Sequence, residues 1–218
     1  MSERLVTIRM LPKFHATATA YGRLVQRHSE LPGSHRTPAA EAGNDFLSHM
    51  KGKYGELAFM KWLMSEGILP SHTPFRNDYT RKVVEDDFIV NGIRIEVKAK
   101  RRGESSPFPP PANYNVNLGK SGLEASLYVF IEISPKASFE DGPPCLVLGW
   151  ADQQLIRSVG VRTEPGTRSD AGNFMFKRHD WDIAIGRLRE VAGLLVLLRA
   201  ASDAACGGAR PDASVPPP

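Results

Sequence analysis

The chain has 218 residues, a formal net charge of +4 and 41% hydrophobic residues. This length and apolar content suit one α/β domain with extensions and a sizeable core. No apolar run reaches the roughly 20 residues that a membrane-spanning helix needs, and the N-terminus lacks a signal-peptide pattern. The two cysteines, Cys145 and Cys206, lie far apart and fit neither a metal-binding nor a disulfide pattern, which favours a reducing cytoplasm.

The N-terminal forty residues carry six basic residues against two acidic ones, and residues 1–40 are predicted to be a basic extension. Within it, residues 5–11 could form a strand and residues 15–30 a helix. We expect residues 41–203 to form the main domain. Residues 204–218, which end in three prolines, are predicted to be a disordered tail.

A helix is predicted from Asn44 to Gly67, because apolar residues recur there at helical spacing. Asn44 is a suitable N-cap and Gly67 a suitable C′ residue. Glu56 lies on this helix between small residues that allow close packing, and a carboxylate in an apolar face needs a partner. The simpler alternative is an exposed Glu56 that pairs with Lys53 or Lys61, as surface helices do routinely.

Two glycines, Gly52 and Gly55, lie inside the predicted helix. Each lowers helix stability by about 1 kcal/mol relative to alanine. Glycines at such positions usually have a packing reason. They therefore favour a Glu56 that lies close to another element over one on an exposed surface.

The most informative segment is a predicted β-hairpin around Asn91-Gly92, because this dipeptide between two alternating apolar runs favours a two-residue type I′ turn. The turn fixes the register and places Asp87 opposite Glu96. Side chains alternate along a strand, so Asp87, Glu96 and Lys98 share one face. The other face is expected to be core and holds Phe88, Val90, Ile93, Ile95, Val97 and Ala99.

Two opposed carboxylates repel each other unless positive charge lies between them. A divalent cation with oxygen ligands would remove the repulsion between Asp87 and Glu96. Asp86 points to the opposite face in this register and is the weaker candidate ligand, whereas Lys98 points to the same side as Glu96. Mg²⁺ held by carboxylates keeps several waters and free positions for phosphate oxygens, which suits phosphodiester hydrolysis.

Five basic residues accompany Glu96 between residues 94 and 102. A basic patch beside a metal site is where a phosphate backbone would lie. Arg101 and Arg102 could equally be ordinary solvated side chains that follow a strand. The predicted nucleic-acid-binding residues are Arg94, Lys100, Arg101 and Arg102.

The rest of the chain is predicted to alternate strands, loops and helices. A long loop is expected over residues 103–122, where proline is frequent. The polar segment 179–182 is interpreted as the cap of the final helix. The remaining predicted elements are buried strands over residues 127–133 and 145–150, a short helix after the cap Asp152, a short strand over 173–176 and a final helix over 185–201.

A helical glutamate, an aspartate before a short strand and Glu-x-Lys on the next strand resemble the PD-(D/E)xK nuclease superfamily, which has the restriction-endonuclease-like fold. The matching residues are Glu56, Asp87, Glu96 and Lys98, within residues 44–150. The resemblance implies an α/β fold with a mixed central β-sheet flanked by helices. It implies Mg²⁺, for which Mn²⁺ substitutes, bound by Glu56, Asp87, Glu96 and Val97. The lysine would position or activate the attacking water. Asp86 stands where the family often has proline.

The sequence therefore predicts a cytoplasmic, Mg²⁺-dependent endonuclease that hydrolyses DNA. No membrane partner is expected, and a homodimer is compatible with the sequence. One alternative is a catalytically inactive nucleic-acid-binding or interaction module on the same fold, against which the intact set of four residues argues. Another is an unrelated α/β protein whose hairpin face is merely charged. The sequence does not decide whether the substrate is DNA or RNA, or whether it is duplex, branched or single-stranded.

Overall fold

The computed structural model of the chain describes residues 5–29, 42–72, 87–101, 113–116, 125–167 and 180–207. These residues form a mixed α/β structure with a five-stranded and a three-stranded sheet and four α-helices. The predicted mixed sheet with flanking helices is therefore confirmed. Among the helices of these ranges, none is long and apolar enough to cross a membrane.

Helices and strands alternate irregularly along the described ranges. The helices are α1 (Pro12–Ser29), α2 (Ala42–Ser65), α3 (Gln153–Val159) and α4 (Val191–Gly207). The strands are β1 (Val6–Ile8), β2 (Phe88–Val90), β3 (Ile93–Lys100), β4 (Asn113–Val116), β5 (Leu127–Ile133), β6 (Cys145–Asp152), β7 (Val161–Thr163) and β8 (Asp180–Ala184).

The five-stranded sheet has the strand order β1-β6-β5-β3-β2. Strand β3 runs parallel to β5, and the other neighbours pair antiparallel. Every residue of β5 is buried, because helices cover one face of the sheet and the second sheet covers the other. A strand buried on both faces reads as a continuous apolar run. The strands predicted over residues 127–133 and 145–150 are both confirmed.

The β2–β3 hairpin has the predicted turn and register. Asn91 and Gly92 have φ angles of +49° and +79°, as a type I′ turn requires at both central positions. Val90 pairs with Ile93, and the pairing continues for three residue pairs. The predicted core face is confirmed, since its six residues are either buried or packed against the main core.

Helix α2 ends at the predicted glycine but begins earlier than predicted. It starts at Ala42, so Asn44 lies inside the helix rather than at its N-cap. Gly67 has a φ of +72° and donates to the Met64 carbonyl at 3.1 Å, while Ile68 donates to the Leu63 carbonyl at 2.9 Å. These two hydrogen bonds form a Schellman motif, which confirms Gly67 as C′.

The described part of the predicted N-terminal extension is built into the main fold. Strand β1 pairs with β6 at the edge of the five-stranded sheet. Helix α1 packs against α2, and a Cβ placed on Gly22 would lie 3.0 Å from the Phe46 ring. A side chain at position 22 would force Phe46 to shift, so the two helices cross closely here, and residues 5–29 belong to the same α/β unit as α2.

The second sheet, of order β4-β8-β7, corrects two sequence predictions. Strand β4 lies inside the segment predicted to be loop, and β8 occupies the segment predicted to cap the final helix. Both strands are short. Strand β4 pairs with β8, and β8 pairs also with β7; β4 is distant in sequence from both. A single short strand without an adjacent turn has no local signal.

The C-terminal region also differs from its prediction. A 3₁₀ turn over Ile185–Arg187 precedes α4, which begins only at Val191. Helix α4 continues to Gly207 and so passes the predicted start of the tail at residue 204. The short helix capped by Asp152 is confirmed, because its carboxylate accepts from the Leu155 amide at 2.7 Å. The strand predicted over residues 173–176 lies outside the described residues.

Candidate active site

The candidate site lies where β2 ends and one edge of β3 becomes open. Strand β2 pairs with β3 only as far as Phe88 opposite Ile95. Strand β3 continues to Lys100, and on its other edge it pairs with β5 over six residues. Among the described strands, none pairs with the β2 side of β3 beyond Ile95. Side chains from the two faces of the sheet can therefore approach each other around this edge.

Asp87 stands at this opening, immediately before β2. Its carboxylate accepts a hydrogen bond from the backbone N–H of Val97 at 2.7 Å. The carboxylate thus replaces the backbone carbonyl that a longer β2 would have offered to this N–H. Burial raises the pKa of Asp87 well above its usual range, and the nearby carboxylates of Glu56 and Glu96 raise it further. The Val97 hydrogen bond and the Lys98 charge act in the opposite direction.

Helix α2 brings Glu56 to the same edge. The helix lies against the Val97 and Ala99 face of β3, and a Cβ on Gly55 would lie only 2.2 Å from the Cβ of Ala99. The glycine thus permits the close approach that carries Glu56 to the sheet. Burial raises the pKa of Glu56, the Lys53 cation lowers it, and the Glu96 carboxylate raises it again.

Lys53 is a residue of the site that sequence reasoning placed only as a surface partner. Its ammonium donates to the Glu56 carboxylate and lies 4.2 Å from the centre of the Tyr21 ring. The predicted alternative of a Lys53–Glu56 pair is therefore present, but the pair is not on an exposed surface, because Lys53 is 2% and Glu56 14% exposed. The only sequence signal was the spacing of three residues on a glycine-containing helix.

Glu96 and Lys98 project from β3 on the face away from α2, since they alternate with the core residues Ile95 and Val97. Their side chains form an ion pair and are each 22% exposed. Lys98 lowers the pKa of both Asp87 and Glu56. Its charge therefore acts on the whole group of carboxylates and not on Glu96 alone.

The four predicted catalytic residues thus lie around one strand edge and influence each other electrostatically. One detail differs from the sequence picture: Asp87 reaches the edge from outside the ladder rather than as a paired strand residue. Val97, the fourth predicted ligand, points its N–H to this edge. Because the N–H and C=O of one strand residue point to the same side, the Val97 carbonyl is directed there as well.

Comparison of the chain with protein families, curated proteins and solved structures gives no match. The site must therefore be interpreted from its own chemistry. Within the described ranges, no three His, Cys, Asp or Glu side chains are arranged as a metal-binding cluster. Two of the three carboxylates are paired with lysines instead, Glu56 with Lys53 and Glu96 with Lys98.

The predicted nucleic-acid-binding residues do not share one surface. Lys100 donates to the Asn113 carbonyl at 3.1 Å and lies over the Tyr114 ring, toward the second sheet. Arg101 lies on the opposite side, where it donates to the Ala137 carbonyl at 2.6 Å. Arg94 is half-buried opposite Ile89. The fourth residue, at position 102, lies outside the described residues.

Proposed function

We propose that this protein is a Mg²⁺-dependent nuclease that hydrolyses phosphodiester bonds in DNA, an endonuclease, on a restriction-endonuclease-like fold. The observation that carries the proposal is the group of three mutually repelling carboxylates with one lysine at the open edge of β3. Raised pKa values in a partly buried group of this kind are typical of functional sites. The order helical Glu56, Asp87 before a short strand, then Glu96 and Lys98 supports the same fold family.

The donor set fits Mg²⁺ in its chemistry. The carboxylates of Glu56, Asp87 and Glu96 and the carbonyl of Val97 are oxygen donors, as a hard cation prefers. Burial raises the pKa values of Asp87 and Glu56, and repulsion from neighbouring carboxylates raises them further. A divalent cation would neutralise the negative charge that causes this repulsion. When bound, Mg²⁺ would supply charge neutralisation at the scissile phosphate and acidify a bound water.

The residues of the chain have separable tasks in this proposal. Lys98, held by Glu96 at the rim, donates to the attacking water or stabilises charge that develops on the phosphate. Lys53 favours the ionised form of the buried Glu56, because an adjacent cation lowers the pKa of a carboxylate. Asp87 is oriented by its hydrogen bond from Val97, so one of its oxygens is fixed before any ligand arrives.

A specific observation favours a second candidate, an inactive nucleic-acid-binding or interaction module on this fold. Both Glu56 and Glu96 are ion-paired with lysines, and the described residues include no ready-formed ligand cluster. In an inactive module these pairs would be permanent and structural. In a nuclease they would open when a cation enters, because the cation competes with the lysines for the same oxygens.

Cleavage of a panel of plasmid, single-stranded and branched DNA with Mg²⁺ separates these candidates. The nuclease proposal predicts product with Mg²⁺ or Mn²⁺ and none with EDTA. Glu96→Gln should abolish the product, whereas Glu164→Gln, which removes a carboxylate from an exposed ion pair with Arg162, should not. Binding of DNA without any product, unchanged by Glu96→Gln, would contradict the proposal and support the inactive module.

A further inference from the structure

A pocket of about 490 Å³ lies beside the candidate active site. It is bounded by one face of α1, the first half of α2, the residue after β3 and the loop that follows β5. Its volume lies in the range of natural small-ligand sites. The lining residues are His15, Thr19, Arg23, Phe46, Leu47, Met50, Arg101, Ser138, Phe139 and Glu140.

One wall of the pocket is cationic. The guanidinium of Arg101 lies 4.2 Å from the centre of the Phe139 ring and is fixed by its hydrogen bond to Ala137. Arg23 is exposed on the adjoining face of α1. Two arginines within one pocket favour an anionic group, and their planar donors match phosphate geometry. Glu140 also lines the pocket, and because its carboxylate repels an anion, the phosphate is expected on the arginine side.

The other wall, as far as the described residues form it, is apolar. Leu47 is 43% exposed, and Phe46 is half-buried beside it. A flat apolar group could lie here while an attached anion meets Arg23 and Arg101. A nucleotide has both parts, but a base that is paired inside a duplex cannot leave the stack to reach this wall without cost. The combination therefore favours an unpaired base.

The pocket is connected to the candidate active site by packed residues. The ring of Tyr54, two residues before Glu56, meets the Phe139 ring edge-on at a centroid distance of 5.3 Å. Along α2, Glu56 follows the lining residue Met50 by six residues, a rise of about 9 Å. A nucleic-acid strand with one phosphate at the active site could therefore place a neighbouring nucleotide in the pocket.

We infer that this pocket binds one nucleotide, with an unpaired base, of a DNA strand that passes the open edge of β3. Arg23 and Arg101 take the phosphate, and Phe46 and Leu47 take the base. The inference rests on the proposed nuclease function for its location relative to the scissile phosphate. It adds a substrate class, DNA with a single-stranded segment beside the cleavage point.

The test measures binding of fluorescein-labelled oligothymidylate and of a duplex of equal length to the full chain in EDTA, by anisotropy across a salt series. Arg23→Ala should weaken single-strand binding about tenfold, because a hydrogen bond to a charged group is lost. It should also reduce the slope of log K against log salt by about 0.7, the value for one phosphate contact. Arg157→Ala, an exposed arginine on α3, should change neither quantity.

The base wall is tested by Leu47→Ser. This variant should weaken single-strand binding about tenfold through lost apolar contact, leave duplex binding unchanged and keep the wild-type salt slope. Equal weakening of both ligands, or no effect of either pocket variant, would overturn the inference. So would equal competition by polyglutamate, which would assign the pocket to acidic protein segments. Thermal melts establish that both variants, at exposed positions, are folded.

The outcomes for the pocket and for the nuclease are distinguishable. In Glu96→Gln, which should not cleave, Arg23→Ala and Leu47→Ser should still weaken oligothymidylate binding about tenfold, because both residues lie in the pocket. Pocket-dependent binding without any Mg²⁺-dependent cleavage would retain the pocket and reject the nuclease. If the wild type cleaves DNA but neither Arg23→Ala nor Leu47→Ser changes single-strand binding, the nuclease proposal is retained and the pocket proposal is rejected.

Discussion

Replacing Asp87 with asparagine tests the electrostatics of the site without changing its shape. The asparagine oxygen can still accept the Val97 hydrogen bond, but the negative charge beside Glu56 and Glu96 disappears. Since burial and two carboxylates raise the pKa of Asp87 well above its usual range, the charged form is destabilising near neutral pH. We therefore expect Asp87→Asn to stabilise the protein in the absence of Mg²⁺.

The magnitude follows from two opposing effects. Each unit by which a pKa is raised corresponds to about 1.4 kcal/mol of destabilisation once the group is ionised. Exchange of a charged acceptor for a neutral one weakens the Val97 hydrogen bond by on the order of 1 kcal/mol. Because burial and two carboxylates all act in the direction of the first effect, it should prevail; each kcal/mol gained raises Tm by about 2–4 °C in a chain of this size.

The pH dependence has a definite sign. A carboxyl whose pKa is raised on folding binds its proton more tightly in the folded state. Its contribution to stability is therefore full below the unfolded pKa and is lost as pH rises through the folded pKa. The same holds for Glu56, whose pKa is also raised. The Tm advantage of Asp87→Asn should thus be largest near neutral pH and vanish toward the unfolded pKa of aspartate, about 3.9.

Thermal melts of wild type and Asp87→Asn, with and without Mg²⁺ and over a pH series, measure these effects. A cation that binds only the folded state raises the wild-type Tm, and Asp87→Asn should lose that response. Glu164→Gln, from an exposed ion pair, serves as the control and should match the wild type throughout. A lower, pH-independent Tm for Asp87→Asn together with an intact Mg²⁺ response would refute the reasoning.

Two further pairs of variants test the chemistry and the packing. Lys98→Ala should lower the cleavage rate on the order of 100-fold with fold and metal binding retained, whereas Lys100→Ala, whose ammonium bonds toward the second sheet, should have a mild effect in the same plasmid assay. Equal losses of cleavage rate in both variants would mean that Lys98 and Lys100 only bind nucleic acid. In urea unfolding, Gly55→Ala should destabilise by about 1–3 kcal/mol through its contact with Ala99. Gly52→Ala, with nothing within 4 Å, should stabilise by up to about 1 kcal/mol; the reverse order would refute the proposed packing of α2.

Gly52 and Gly55 show what a local sequence pattern can and cannot predict. The sequence predicts a packing reason for both, yet only the Cβ of Gly55 would meet another element. Both are glycines within one helix, and the difference depends on which face of α2 meets β3. A single sequence does not contain that orientation until the sheet it packs against is known.

Features with a local cause were predictable from the sequence. The Asn91-Gly92 turn fixes the hairpin register, Asp152 caps α3 through its own side chain, and Gly67 ends α2 by adopting a positive φ. In each case the residue acts on backbone groups within a few positions of itself. The positions of Glu96 and Lys98 on one face of β3 follow from the same local geometry.

Other features depended on contacts between distant segments. Strand β4 finds its hydrogen-bond partners on β8, and β8 finds its partners on β4 and β7, all in segments distant from one another in sequence or not joined by a tight turn. The Lys53–Glu56 pair is buried because α1 brings Tyr21 over the lysine. Asp87 binds the Val97 amide because β2 stops where β3 continues. Burial and strand pairing are properties of the assembled chain, so the tertiary structure alone decided that the Lys53–Glu56 pair is buried and that the three carboxylates lie at one strand edge.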